Sequence, residues 1–245
     1  MLPRDWELLN FIEEQGFATF RQIERMFFSN QKSFCSRRLG QLRCSGYLGK
    51  RTILEAITGQ SKMSKNVKYF PHLLNINLDS RDEIYFINRQ YAKAFGRSAK
   101  LFKPNMVLHQ LILNEVRHFL DEEIPHQIVL NDSKVKISAK KEAGRTREVY
   151  PDLSYEHGKV KIAVELERTN KARTRYFSKL LTYRLSNYSH VIYYYVQESQ
   201  REVILSRAGK EKKFAVAHYK KPDELISNIW GVLPLNLFIH RVLEN

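Results

Sequence analysis

"YPDLSYEHGKVKIAVELERTNKARTRYFSKLLTY", residues 150–183, changes its hydrophobic period midway. In "KVKIAVELE", Ile162, Val164 and Leu166 alternate with Ala163, Glu165 and Glu167. A period of two predicts a strand with both glutamates on one face. "EVYPDLSYE" predicts the strand before it, with Asp152 at the end of that strand and His157 and Gly158 in the connection. "KARTRYFSKLLTYRL" then moves to helical spacing, and Phe177, Leu180, Leu181 and Leu185 form its expected apolar stripe.

Neighbouring strands lie about 4.8 Å apart, so Asp152, Glu165 and Glu167 are placed to converge at one edge of a sheet. Glu115, on the face of the preceding helix, can join them. Clustered carboxylates are costly unless something positive sits among them. One occupant is Mg²⁺ or Mn²⁺ held by Asp152, Glu165 and Glu167, because hard cations take oxygen ligands. Such an ion polarises a phosphate and activates water, with Lys179 assisting from the helix. The other solution is a set of salt bridges from Glu165 and Glu167 to Arg168, Arg173 or Lys179. The pattern leaves both open. No other cofactor is implied, since the chain has no Walker loop, nucleotide-binding glycine fingerprint or nucleophile elbow.

Around this segment the pattern is that of an α/β domain, expected over residues 105–245. "NMVLHQLILNEVRHFLDEE" predicts a helix capped by Asn105, in which His109 reads as a half-buried packing residue. "HQIVL" predicts a short strand, and residues 131–147 a polar loop or hairpin. "HVIYYYV", "EVILSR" and "KFAVAHY" read as strands, and "PDELISNIWGVL" as a closing helix. Tyr193, Tyr194 and Tyr195 are expected to pack in the core. A mixed sheet flanked by helices follows.

Residues 1–98 read differently. "PRDWELLNFIEEQ" predicts a helix ended by Gly16, and Thr19 with Gln22 forms a capping box for a second. "NQKSFCSRRLGQLRCSGYL" predicts a third helix, broken by Gly46 before an extended "YLGKRTILEA". "EIYFI" returns as a strand, residues 57–82 read as a wing or excursion, and "RSAKLFKPN" as a linker. Three short helices followed by strands predict a winged helix-turn-helix. Gln31, Lys32, Ser36, Arg37, Arg38, Gln41 and Arg43 are its expected DNA-facing residues, with Lys50 and Arg51 on the wing. Arg168, Lys171, Arg173 and Arg175 are candidate phosphate contacts beside the carboxylates.

The whole chain supports a polyanionic partner. It carries 41 Lys and Arg against 26 Asp and Glu over 245 residues, a net charge of +15. That exceeds what solubility requires, and double-stranded DNA is the expected partner. Cys35 and Cys44 have no metal-ligand spacing, so a reducing compartment is the expectation. No apolar run reaches membrane length and the N-terminus lacks a secretory pattern, which points to the cytoplasm.

With these segments read, the chain resembles the replication-relaxation family of plasmids and mobile elements. The resemblance rests on "LLNFIEEQGFATFRQIERMFF", "RRLGQLRCSGYL", "VLHQLILNEVRHFL" with His109 and Glu115, and the quoted 150–183 segment with Lys179 and Tyr183. It implies an N-terminal winged helix and a C-terminal domain related to PD-(D/E)XK nucleases. On that pattern Asp152 and Glu165 are the acidic ligands, and Glu167 stands where a lysine is expected. Lys179 would be the substitute lysine. The expected function is DNA binding in replication, transfer or regulation, as a homodimer on a palindromic site, with a nuclease-like domain that does not cleave. The alternatives are a Mg²⁺-dependent DNA endonuclease and a protein-interaction scaffold.

Overall fold

The computed structural model describes residues 1–58, 82–97, 104–123, 128–131, 150–157, 159–169 and 172–243. The chain parts into two compact units, Met1–Glu115 and Val116–Asn245. The expected excursion at 57–82 and the loop at 131–147 lie almost wholly outside the described residues, as do most of the linker and Lys171.

The first unit opens with α1 (Pro3–Gln15), whose Leu8, Leu9, Phe11 and Ile12 are buried while Trp6 is exposed. Gly16 ends the helix with φ of 91°, a region that side chains disfavour, and its N–H reaches Ile12 O at 2.7 Å. A short strand β1 (Ala18–Thr19) leads into α2 (Phe20–Phe28). Thr19 Oγ1 accepts from Gln22 N at 3.1 Å and Thr19 N donates to Gln22 Oε1 at 3.0 Å, the reciprocal cap expected from the sequence. Next come α3 (Lys32–Cys44), β2 (Leu48–Thr52), α4 (Ile53–Thr58), β3 (Glu83–Ile87) and α5 (Arg89–Ala94). Residues 53–56, expected to continue the extended stretch, instead turn with 57 and 58 into a helix whose Thr52 and Glu55 cap each other.

The sheet of this unit runs β1-β3-β2, antiparallel throughout. The Phe86 ring lies over Gly49, its register partner, where a Cβ would meet ring carbons at 2.4 and 2.5 Å. The helices cover a core of Leu8, Leu9, Ile12, Ile23, Leu39, Leu42, Leu48 and Ile87. Helix α6 (Pro104–Glu123) starts at Pro104, so Asn105 lies inside it and does not cap it. Its Val107, Leu108 and Leu111 cluster with Phe17, Ile53, Ala56 and Ile84 in the first unit. The division therefore falls within this helix, whereas residues 105–245 were expected to form the second domain.

One ion pair ties α3 to α1. Asp5 is fully buried, accepts from Leu2 N at 2.6 Å, and receives Arg38 Nε and Nη2 at 2.9 and 2.5 Å. Burial pushes the Asp5 carboxyl upward, but the Arg38 hydrogen bond, the Leu2 N–H and the charges of Arg38 and Arg4 outweigh it and hold the carboxyl below its usual value. Arg38 also donates to Gln41 at 2.7 Å. The arginine expected to face DNA is thus committed to the core edge.

The second unit is built on a seven-stranded sheet ordered β10-β9-β8-β7-β6-β5-β4. Its strands are β4 (Ile128–Asn131), β5 (Leu153–His157), β6 (Val160–Glu167), β7 (His190–Tyr195), β8 (Phe214–His218), β9 (Glu224–Ser227) and β10 (Gly231–Pro234). β6, β7 and β8 run parallel and the other pairings are antiparallel. Parallel neighbours need crossovers. α7 (Arg173–Arg184) joins β6 to β7, and α8 (Glu198–Ala208) joins β7 to β8. Successive crossovers in one direction keep one hand, so both helices fall on one face. Tyr176, Leu180 and Tyr183 of α7 and Ile204 and Ala208 of α8 share a core there with Ala163, Tyr193, Tyr195 and Val216. On the other face the Tyr194 hydroxyl donates to Pro222 O at 3.2 Å, and His190 packs against Trp230, which precedes β10, and against Phe238 of α9 (Leu235–Leu243).

Three expectations are corrected here. "EVILSR" is helical, as part of α8, with buried Gln200, Ile204 and Ala208 at steps of four and a Gln197–Gln200 capping box. "PDELISNIWGVL" is the β9–β10 hairpin, where Ser227 Oγ accepts from Trp230 N at 2.9 Å and Gly231 takes φ of 68°. In α7, Phe177, Leu181 and Leu185 are exposed, and the buried side is Tyr176, Leu180 and Tyr183.

Replacing Arg38 by Ala leaves Asp5 buried without its cation, which should cost about 3–5 kcal/mol in urea unfolding. Asp5 has a depressed folded pKa, so its contribution is present above its unfolded value of about 3.9 and is lost as pH falls through the folded value. The stability gap between wild type and R38A should therefore narrow in acid. An unchanged gap at low pH would refute this assignment.

Candidate functional site

The acidic residues singled out in the sequence meet on the face of the sheet covered by α7. Asp152 precedes β5 and does not close it, a correction forced by the antiparallel pairing of β5 with β6. Leu153 pairs with Val164, so the start of β5 lies beside the end of β6. Asp152 Oδ2 accepts from Leu166 N at 2.8 Å, which fastens the two strands where Glu165 and Glu167 emerge. Both glutamates are buried, at 1% and 0% exposure. Two carboxylates cannot be held in a sheet core without compensation.

Helix α7 supplies it. Lys179 Nζ stands 2.6 Å from Glu165 Oε2 and 3.5 Å from Glu167 Oε1. The Tyr183 hydroxyl donates to Glu165 Oε1, so both oxygens of Glu165 have donors. Lys179 and Tyr183 are four apart and stack on one side of the helix. Burial lowers the Lys179 ammonium, but Glu165, Glu167 and Asp152 together raise it well above the ordinary lysine range. Burial raises the Glu165 carboxyl to about 8, assisted by Asp152 and opposed by Lys179 and Tyr183. The ammonium stays charged, and the cluster resists losing its last proton.

Tyr193 completes the surroundings. It is the register partner of Glu165 on β7, and its ring meets that of Tyr183 edge-on at 6.2 Å. Tyr183 and Tyr193 were read from the sequence as a motif residue and a packing residue. The four-residue step from Lys179 to Tyr183 was the available signal for the first. For Tyr193 the signal was its alternation with Tyr194 on a central strand. Burial of Tyr193, Tyr194 and Tyr195 leaves none of the three rings open for stacking on a base.

Glu115, expected to join the carboxylates, belongs to the first unit. Its oxygens accept from Gln22 at 2.8 Å and Arg25 at 2.5 Å. Arg168 is half-buried and burial depresses its guanidinium, while Arg173 and Arg175 are exposed on the first turn of α7. In the first unit Gln31, Lys32, Ser36, Arg37, Gln41 and Arg43 are exposed along α3, and Arg51 on β2. Lys50, like Arg38, is diverted into an ion pair, with Glu83, which also accepts from the Tyr85 hydroxyl at 2.9 Å.

The residues present do not fit Mg²⁺ or Mn²⁺. A hard cation needs several ionised oxygens open to it. Here both Glu165 oxygens receive donors, one of them an ammonium, and burial favours the protonated carboxyl. Among the described residues, no group of three His, Cys, Asp or Glu side chains is arranged to hold a metal ion. Also among them, no helix is long and apolar enough to cross a membrane.

Tyr183→Phe removes a donor from a buried carboxylate oxygen and should destabilise the chain by about 1–3 kcal/mol. Urea unfolding checks this, and a wild-type midpoint in Y183F would show that the hydroxyl contributes nothing.

No curated protein and no solved structure matches the chain. A family match runs over residues 9–200 of the 245, from within α1 through β7. At the level of the family, this associates the chain with DNA and with replication or mobile elements. The chain belongs to the Replication-relaxation family.

Proposed function

We propose that this is a DNA-binding protein of a plasmid or mobile element. Its first unit reads duplex DNA as a winged helix-turn-helix, and its second is a PD-(D/E)XK-like domain that does not cleave. The observation that carries the reading is the outer face of α3. Lys32, Arg37 and Arg43 are exposed there beside Gln31, Ser36 and Gln41, and the helix contains no acidic residue. Such a face suits a major groove, with amide and guanidinium groups able to meet base edges and the remaining cations meeting phosphates. The element order helix, strand, helix, helix, strand, helix, strand supports it, with the antiparallel pair β2 and β3 as the stem of the wing and Arg51 exposed on β2. A homodimer on a palindromic site is the assembly such modules commonly form.

The second unit keeps the acidic strand pair and the lysine helix of a nuclease-like domain. Its carboxylates are already neutralised from within. That supports a role in binding or regulation. The endonuclease reading has one observation in its favour, that the Lys179 amine reaches Glu165, as an assisting lysine on this helix must.

The test is duplex binding by fluorescence anisotropy across a salt series. Arg37→Ala and Arg43→Ala should each weaken binding and reduce the salt slope by roughly 1 for a phosphate contact, or cost ~1–3 kcal/mol of sequence discrimination for a base contact. Binding with no salt dependence, unchanged in both variants, would sink the DNA reading in favour of a protein scaffold. Incubation of supercoiled DNA with Mg²⁺ or Mn²⁺ should give no nicking. Nicking lost in D152A would establish the endonuclease.

A further inference from the structure

Gly40 stands inside α3, with exposed Ser36, Arg37, Gln41 and Arg43 around it. A glycine in a helix interior destabilises the helix relative to alanine, so its place there needs a cause. The fold supplies none. Its backbone is helical, without the positive φ of the glycines at turns and helix ends. A Cβ built on it meets no atom within 4 Å, whereas one on Gly49 would strike the Phe86 ring. Among the described glycines, Gly40 alone has neither reason. The open space over it lies away from the core, since Cys35, Leu39 and Leu42 hold the buried side of the helix.

The same face has the charge that suits a duplex, with Lys32, Arg37 and Arg43 exposed and no acidic residue in the helix. What a bare Cα adds is distance. A methyl group at position 40 would stand about 1.5 Å off the backbone and hold a partner away from the helix. Long lysine and arginine side chains can absorb such a step. Short or tethered side chains cannot. Ser36 is short, and Gln41 is tied through Oε1 to Arg38 Nη1 at 2.7 Å, while Arg38 is itself locked on Asp5. Hydrogen bonds from these two to base edges would stretch beyond the useful range of about 3.2 Å. We propose that Gly40 is the point at which α3 lies closest to the floor of the major groove, and that its missing side chain lets Ser36 and Gln41 reach base edges. This rests on the winged-helix reading of the first unit and deepens it. Affinity for phosphates depends on the cations of the face, and sequence discrimination on close approach at Gly40.

The test uses the full chain and two duplexes of equal length, one that wild type enriches from a randomised pool and one unrelated to it. Wild type, G40A and G40L are compared by fluorescence anisotropy across a salt series, with urea unfolding of each. G40A should unfold at a higher urea concentration than wild type, because alanine is the better helix former and its methyl meets nothing in the fold. It should nevertheless bind the enriched duplex roughly tenfold more weakly, the loss of about one base contact. G40L should bind both duplexes alike. Affinity for the unrelated duplex should stay within about twofold in all three proteins, with one salt slope. Variants that keep the wild-type preference would overturn the inference and leave the DNA reading standing. A wild type that binds duplexes in a salt-dependent way but enriches none from the pool would do the same. Absence of salt-dependent binding by wild type would overturn both.

Discussion

Two glutamates buried on one face of β6 require a cation, and the helix that follows must bring it. Much of the second unit can be understood from that constraint. The crossover from β6 to β7 carries α7 over the face where the glutamates lie. Rotation of α7 about its axis then follows from chemistry more than from hydrophobicity. Lys179 and Tyr183 must face the carboxylates, so Tyr176 and Leu180 come inward with them. Phe177, Leu181 and Leu185 are turned outward as a consequence. A helix positioned by apolar burial alone would have chosen the opposite side.

The same constraint separates what could be read from the sequence and what could not. The β6 strand was legible because Ile162, Val164 and Leu166 alternate with Glu165 and Glu167. The capping box of Thr19 and Gln22 and the stop at Gly16 were legible because each is a local rule satisfied by adjacent residues. The inward face of α7 was not, because a tyrosine buries a large ring while counting as half polar, and three aliphatic or aromatic residues on the other side outweighed it. The sequence pattern of α8 points to a strand because Val203 and Ile204 are β-favouring, while a buried glutamine, Gln200, stands at the position that would reveal the helical period. Topology held the missing information. β7 and β8 are parallel neighbours, and a helix between them is close to obligatory. The hairpin at 224–234 was hidden by alternation too short to outweigh its helix-like composition.

Basic residues divide in a way that no composition can show. Arg37 and Arg38 are adjacent in the chain, yet one is exposed and the other grips the buried Asp5. Successive residues lie about 100° apart around a helix, so one step in sequence is the difference between a groove and a core. Lys50 and Arg51 on β2 divide likewise, by the alternation of a strand, with Lys50 turned to Glu83. Lys179 is the extreme case, a lysine drawn inward by three carboxylates. The count of 41 Lys and Arg therefore overstates the cations available to a partner, since several are paired with carboxylates inside the fold, pairs that the net charge of +15 already counts as zero.

That partition bears on how such a chain tolerates change. An exposed cation on α3 can be lost with little effect on folding, because nothing buried depends on it. Arg38 and Lys179 cannot, because each compensates a carboxylate already withdrawn from water. The side of α3 that is free to vary is the side with which a partner would be recognised, while the side facing Asp5 keeps the helix in place. In the second unit the fixed and variable sets are reversed in position. The acidic centre is interior and self-neutralised, and the exposed side of α7 carries Phe177, Leu181 and Leu185. The stability of the second unit thus depends on Lys179 staying opposite the buried glutamates.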